Sequence, residues 1–399
     1  MTLLFVTRFL RLFAYGFLSV VLVLYLTAIG FGEAKVGLLL TLTLLGDTII
    51  SLFLTTTADR FGRRRTLIIG AWLMALAGIV FALSQNYWIL LLAATLGVIS
   101  PSGNEVGPFL SIEQASLSHL SPHTKRTMTF AWYNLTGNFA AAFGSLFGGT
   151  LSELLQGKGY GLAASYHAVL WCYAAIGIVL ALIFQKVSSE IEVKDEAPSG
   201  LVPKQFLGLH KSRSMVFRLS ALFSLDAFAG GFVIQGLAAY WFHLKFGIGP
   251  AALGGIFFGA NLLSGFSQLA AAKLAHKIGL VRTMVFTHLP SNLLLILVPL
   301  MPTLPLAIIV LLIRFSISQM DVPTRQSYTM AVVSPDERSA AAGVTGVART
   351  VGASLSPSIA GALLAQPTLI SVPFILAGIL KIIYDLILYR SFVKHEPDG

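Results

Sequence analysis

The chain has 399 residues, of which 56% are hydrophobic and 11% charged, with a formal net charge of +10. Soluble domains carry about 25% charged residues, and no water-soluble core of this size hides so much apolar surface, so lipid must be the solvent for much of the chain. The positive charge is scattered through short loops rather than gathered into basic patches interleaved with aromatics, which excludes a nucleic-acid reader and points to membrane topology.

A spanning helix needs roughly 20 apolar residues, which leaves room here for about twelve spans joined by short connections. The N-terminal stretch MTLLFVTRFLRLF lacks a short apolar region followed by a small-residue cleavage site, so it reads as the start of the first span. Apolar runs fall at about 9–30, 36–58, 67–84, 88–120, 128–155 and 164–185, then at 215–246, 250–272, 281–300, 304–331, 340–365 and 369–391. Between them the polar segment 186–213, with Lys186, Glu190, Glu192, Lys194, Asp195 and Glu196, reads as a linker. The expected organisation is a six-helix bundle over 1–185, a cytoplasmic linker over 186–213 and a second six-helix bundle over 214–399. The single cysteine, Cys172, lies in an apolar run, so no disulfide framework or Cys-based metal site is expected.

Loop charge sets the orientation. With a cytoplasmic N-terminus, the inner loops hold Arg60, Arg63, Arg64, Arg65, Lys125, Arg126, Lys186, Lys194, Lys204, Lys211, Arg213, Lys277, Arg282 and Arg338, while the outer loops hold only Lys35, Lys158 and Lys245. Both termini are therefore expected in the cytoplasm.

The halves repeat each other. Ala58-Asp59-Arg60-Phe61-Gly62-Arg63-Arg64-Arg65-Thr66 aligns with Ala275-His276-Lys277-Ile278-Gly279-Leu280-Val281-Arg282-Thr283 at a shift of 217 residues (58 to 275). The same shift pairs Gly30, Gly32 and Gly37 with Gly247, Gly249 and Gly254. Ser121-Pro122 meets Ser334-Pro335 at 213, and Arg126 and Gly149 meet Arg338 and Gly361 at 212. Two anchors at nearly constant shift indicate a duplicated six-helix unit.

On these residues the chain resembles the major facilitator superfamily (MFS) of secondary transporters. Ala58–Arg65 looks like that family's signature loop between the second and third helices, and the degenerate copy at Ala275–Arg282 falls where the family keeps its second copy. The resemblance covers essentially the whole chain. It implies an all-α membrane fold of twelve transmembrane helices in two pseudo-symmetric bundles. It also implies a conformational latch of Asp59, Arg60, Gly62, Arg63, Arg64 and Arg65 against the eleventh helix, which begins Ser339-Ala340-Ala341-Ala342-Gly343; a purely topological positive cluster is the alternative. Gly62 permits a turn that a β-carbon would obstruct. A fifth-helix antiporter motif survives as Gly144-Ser145-Leu146-Phe147-Gly148-Gly149, with serine replacing proline, and its counterpart Ser356-Pro357-Ser358-Ile359-Ala360-Gly361 keeps the proline.

By the same resemblance the first, fourth, seventh and tenth helices line a central cavity, so ionisable residues there bear most on function. The fourth contains Ser100-Pro101-Ser102-Gly103-Asn104-Glu105-Val106-Gly107-Pro108, whose prolines and glycines predict a broken helix. Asn104 and Glu105 are candidate substrate or proton ligands; a carboxylate capping freed amides is the structural alternative. Asp226 and Asp47 follow, Asp47 with a helix-packing hydrogen bond as its alternative. Glu113 is expected to salt-bridge Arg63, Arg64 or Arg65. Arg314, Asp321 and Arg325 share a face of the tenth helix; Asp321 with Arg325 reads as an intrahelical pair, and Arg314 is free to meet a carboxylate or an anionic substrate. Lys381 and Asp385, four apart, read as neutralising each other. Tyr87-Trp88 and Tyr240-Trp241 read as interfacial anchors.

The functional expectation is a secondary active transporter that moves a small molecule or ion by alternating access. It is expected to be proton-coupled, with export by antiport ahead of uptake symport or uncoupled facilitation. No cofactor or metal is expected, since the eight histidines lack ligand spacing. A polytopic membrane enzyme would need a catalytic cluster, and none of its motifs is present. The expected partners are the solute, protons and membrane lipids, with no nucleic acid. The expected state is a monomer in a cell membrane, a bacterial inner membrane, crossed many times.

Overall fold

The computed structural model describes residues 1–120, 126–188, 191–192, 209–334 and 337–393. Within these it gives no side chains for 59–60, 118–120, 126–128, 272 and 339. The described residues form helices and turns, with no strand among them.

The first six apolar runs become α1 (Thr2–Ala28), α2 (Glu33–Phe61), α3 (Arg63–Leu83), α4 (Tyr87–Leu96) with α5 (Phe109–Leu120), α6 (Arg126–Gly157) and α7 (Leu162–Gln185). The other six become α8 (Arg213–Gly231) with α9 (Gln235–Phe246), α10 (Pro250–Ile278), α11 (Leu280–Leu297), α12 (Leu304–Ser318) with α13 (Asp321–Ala331), α14 (Arg338–Leu364) and α15 (Val372–Phe392). Nine helical segments among the described residues are long and apolar enough to cross a membrane. Large apolar side chains such as Ile49, Phe53, Leu83 and Leu154 point outward, as lipid-facing residues do.

Three runs break. The fourth opens over 97–108, the seventh over 232–234 and the tenth over 319–320. Only the first of these was expected. The tenth breaks because Pro323 lacks an N–H and its ring would clash with the carbonyl of Gln319, so a continuous helix cannot pass. The seventh breaks directly after Gly230-Gly231, two poor helix formers in sequence.

The chain forms two compact units, 1–196 with 234–262, and 197–233 with 263–399. In the first, α1 packs along α6 and α3 along α7; in the second, α8 packs along α14 and α11 along α15. These are equivalent pairs in the two halves, so the repeat seen in sequence is also a repeat of packing. Local detail repeats too. Gly62 and Gly279, 217 residues apart, have φ +98° and +92°. Thr66 and Thr283, each four residues on, donate their hydroxyls to those glycine carbonyls at 3.0 and 2.6 Å.

Small residues set the closest helix contacts. A β-carbon at Gly16 would lie 2.2 Å from the carbonyl oxygen of Ala141, and one at Gly144 would lie 2.0 Å from that of Phe13. Gly148 faces Phe17, and Gly149 faces Pro250 at the start of α10. The Gly144–Gly149 stretch is thus a packing seam for α1 and α10. On the second unit Gly231 and Gly352 play the same part between α8 and α14.

Two expectations about aromatics divide. Trp88 is exposed, as an interfacial anchor should be, whereas Trp241 is fully buried and Tyr240 donates its hydroxyl to Glu33 at 2.7 Å. Tyr240-Trp241 belongs to the core because α9 packs on α1 within the first unit.

Candidate functional site: two buried charge networks

The first network surrounds the break in the fourth run. Gly103 and Gly107 take φ +71° and +79°, values an L side chain rarely adopts, and Pro101 and Pro108 bracket them. A helix opened at this depth must find partners for its main chain. The carbonyl of Val98 accepts from Tyr173 at 2.6 Å, that of Val106 from Tyr15 at 3.3 Å, and that of Asn104 from Ser100 at 2.6 Å. The Pro101 carbonyl accepts from the Gly236 N–H at 3.1 Å, at the start of α9. The Gly107 N–H donates to Asp47 Oδ1 at 2.7 Å. Asp47 of α2 therefore holds one end of the break.

Into this break α1 sends two arginines, Arg8 and Arg11, three residues apart on one helix face. Arg8 Nη1 pairs with Glu105 Oε2, and Arg11 Nε reaches Glu105 Oε1 at 2.6 Å. Arg11 also grips Glu113 with both terminal nitrogens, at 2.9 and 2.7 Å. Thr7 donates to Glu113 at 3.0 Å, and the Tyr133 hydroxyl donates to its other oxygen. Gly137 of α6 leaves the space that Arg8 fills, since a β-carbon there would come within 2.9 Å of Arg8 Nε. Tyr133 and Phe109 cover the guanidinium faces of Arg8 and Arg11 at 4.3 and 4.5 Å.

The expected bridge from Glu113 to Arg63, Arg64 or Arg65 is therefore replaced. Glu113 is fully buried and its oxygens are held by Arg11, Thr7 and Tyr133. The N-terminus of α3 is capped instead by Glu192, which accepts the main-chain N–H groups of Arg63 and Arg64 at 2.7 and 3.1 Å. Arg64 and Arg65 are exposed, and Gly62 makes the turn. The side chains of Asp59 and Arg60 lie outside the described residues. Asn104 is exposed beside Glu105.

Among the described residues, Asp47 has no cation beside it. It is buried, and its carboxylate accepts from the Gly107 N–H and, at 3.3 Å, from Ser51. Glu105, by contrast, arrives with two guanidiniums in contact.

The second network lies among α8, α11, α12, α13, α14 and α15. Asp226 of α8 accepts from Lys381 at 2.6 Å and from Arg325 at 3.4 Å. Arg325 also pairs with Asp321 one turn before it, at 2.7 Å. Asp385 meets His288 Nδ1 at 2.8 Å and accepts from Asn292 at 2.9 Å. The expected neutralisation of Asp385 by Lys381 is corrected by these contacts. Lys381 crosses to α8, where Asp226 would otherwise be a buried charge short of a partner, and His288 and Asn292 serve Asp385. Arg314, which sequence left free, is 9% exposed and its Nε has no hydrogen-bond partner.

Sequence reasoning passed over Arg8, Arg11, His288 and Asn292. Arg8 and Arg11 sit at the edge of the first run, where positive charge is expected for topology alone. The available signal was their three-residue spacing in an otherwise apolar stretch.

Outside the spans, Glu337 at the start of α14 accepts main-chain N–H groups from His210 and Ser212, the latter at 2.9 Å. Those amides pull its carboxyl down to about 2.

The profile of the Major Facilitator Superfamily matches residues 4–357 and 227–399. An uncharacterized membrane protein of Saccharomyces cerevisiae is 34% identical over 425 residues, covering 98% of this chain and 93% of its own. A Na+, Li+, K+/H+ antiporter of Planococcus maritimus is 31% identical over 94 residues, which is 24% of this chain and 22% of the antiporter. Among solved structures, a bacterial homologue of the human lysosomal transporter Spinster, inward-facing and occupied, superposes with TM-score 0.76 at 15% identity, over 100% of this chain and 98% of its own. The nucleoside transporter NupG superposes with TM-score 0.69 at 15% identity, over 98% of each chain. At that identity the two structures speak for the fold alone.

Proposed function

The chain belongs to the Major Facilitator Superfamily, and on that premise we propose that it is a proton-coupled secondary transporter, working by alternating access, in which Asp47 carries the coupling proton. The two six-helix halves, 1–185 and 214–399, rock about the broken cavity helices, with 186–213 as a cytoplasmic linker. Asp59, Arg60, Gly62 and Arg63–Arg65 latch one state. Export by antiport is the favoured direction; the glycine-rich α6 and the partial likeness to a cation/H+ antiporter support it.

The observation that carries the reading is the position of Asp47. A charge at membrane depth costs about 3 kcal/mol or more unless it is paired or hydrated, and this carboxylate is buried without a cation among the described residues. Its ligand is the Gly107 N–H at the end of the broken segment, so a change in its protonation changes the hold on that segment. Glu105, with Arg8 and Arg11, then acts as the charge switch that meets substrate beside Asn104. Asp226 serves as the anchor of the second network.

A pH jump across proteoliposomes adsorbed on a solid-supported membrane tests this without a known solute. The wild type gives a brief charge pulse as the protein takes up protons. Asp47→Asn removes at least most of that pulse, while Asp226→Asn keeps it. A wild-type pulse from folded Asp47→Asn removes the proton from Asp47 and passes it to Glu105.

A further inference from the structure

The breaks in the fourth and seventh runs meet. The Gly236 N–H, in the first turn of α9, donates to the Pro101 carbonyl at 3.1 Å. Beside that bond, a β-carbon at Gly103 would lie 3.0 Å from Ser19 Oγ and 3.6 Å from Gln235 Oε1. Two opened helices and α1 therefore come together at one point within the first compact unit. Interrupted helices at membrane depth are where transporters place their solutes.

Four uncharged polar side chains from four helices converge there. Gln235 of α9 donates from Nε2 to Ser19 Oγ of α1 at 2.7 Å and to Ser145 Oγ of α6 at 3.0 Å. Asn261 of α10 donates from Nδ2 to Ser145 Oγ at 3.3 Å and to Gln235 Oε1 at 3.2 Å. Each serine spends its own hydrogen on a main-chain carbonyl, Ser19 on Gly16 at 2.7 Å and Ser145 on Ala141 at 3.0 Å. Ser145 is the serine that replaces proline in the fifth-helix motif, and a proline there would bring no hydroxyl to the cluster.

The balance of donors and acceptors sets the chemistry. A side-chain amide has two hydrogens to give and a carbonyl oxygen with two lone pairs. All four amide hydrogens of Gln235 and Asn261 are used inside the cluster. What stays open is Asn261 Oδ1, which accepts from no donor among the described residues, and one lone pair of Gln235 Oε1. Both residues are half-buried, so these oxygens are not sealed in the core. No member of the cluster ionises, and a charged group brought to this depth would lack a countercharge among them.

We infer that Ser19, Ser145, Gln235 and Asn261 form the subsite for the hydroxyl groups of an uncharged solute, a sugar or other polyol. The inference rests on the transport reading above and names the solute's class. A hydroxyl suits the subsite because it both donates and accepts, giving its hydrogen to an open amide oxygen and taking an amide hydrogen in return. Alternating access parts α9 and α10, from the second sequence half, from α1 and α6, from the first, and so breaks the four bonds between these side chains. Polar groups left unpaired at that depth are costly, and the hydroxyls of the solute replace the lost partners.

The test uses the full chain, purified and followed by thermal unfolding. Glucose, ribose and myo-inositol are titrated beside sodium lactate, sodium phosphate and choline chloride, the salts against sodium chloride at matched ionic strength. Polyols at molar concentration stabilise any protein by exclusion from its surface, so the criterion is a rise that saturates at millimolar concentration. At least one of the three neutral probes gives such a rise, of several degrees, and the salts give none beyond sodium chloride. Asn261→Ala, which keeps both bonds from Gln235 to the serines, weakens half-saturation at least tenfold, and Gln235→Ala does the same. Gly255→Ala, on α10 where a β-carbon meets open space, keeps the wild-type response.

No saturable rise with any neutral probe, or a rise only with the salts, overturns the inference. So does wild-type half-saturation in both Asn261→Ala and Gln235→Ala, even if they melt lower, since the cluster would then only join helices. The wild-type pH-jump pulse is read separately. An intact pulse without polyol binding defeats the hydroxyl subsite alone, and polyol binding without a pulse defeats only the proton reading.

Discussion

Glu105 and Glu113 are eight residues apart and share Arg11, yet their surroundings separate their roles. Glu113 is fully buried between Arg11, Thr7 and Tyr133, whereas Glu105 keeps 10% of its side chain exposed at the edge of the break. Removing one partner of a buried pair leaves the other uncompensated, at about 3–5 kcal/mol. Glu113→Gln should therefore lose stability of that order in denaturant unfolding, and Glu105→Gln should lose less. The reverse order would show that the break, and not α5, is the structural member. At this scale sequence was a partial guide. Glu105 stood out because prolines and glycines surround it. The partner of Glu113 was not legible, because helix spacing says nothing about which residue of α1 faces α5.

The elements follow glycine and proline chemistry closely. The fourth-run break was readable from Pro101, Gly103, Gly107 and Pro108, while those after Gly231 and before Pro323 were marked only by shorter versions of the same signal. Helix contacts depend on glycines whose need cannot be told from spacing. At Gly16 a side chain would run into the Ala141 carbonyl, but at Gly255 it would meet open space. Gly16→Val should destabilise by about 3 kcal/mol or more, because neither α1 nor α6 has anything flexible to yield at that contact. Gly255→Ala should be neutral, or stabilise by up to about 1 kcal/mol. Thermal unfolding of both variants checks this, and a tolerated Gly16→Val would mean that α1 and α6 do not meet as closely as described.

At the scale of the molecule, the duplication was the most legible feature, since Gly62 and Gly279 reproduce one turn at a shift of 217 residues and the same helix pairs recur in both units. The compact units are less simply divided than the sequence repeat, because 234–262 packs with the first. Loop charge predicts the orientation. In a Cys172→Ser background, Lys158→Cys should react with an impermeant maleimide in intact cells and Lys186→Cys only after lysis; the opposite pattern would invert the topology.

In the proposed mechanism, solute movement and proton movement are one process. Its most direct measurement is internal pH in proteoliposomes containing the protein and a trapped pH dye, as candidate solutes are added outside at zero initial gradient. At least one solute should shift internal pH as it crosses, and Asp47→Asn vesicles should still exchange the labelled solute while the pH signal is lost. Solute crossing with no pH change in the wild type would contradict it and leave an uncoupled facilitator.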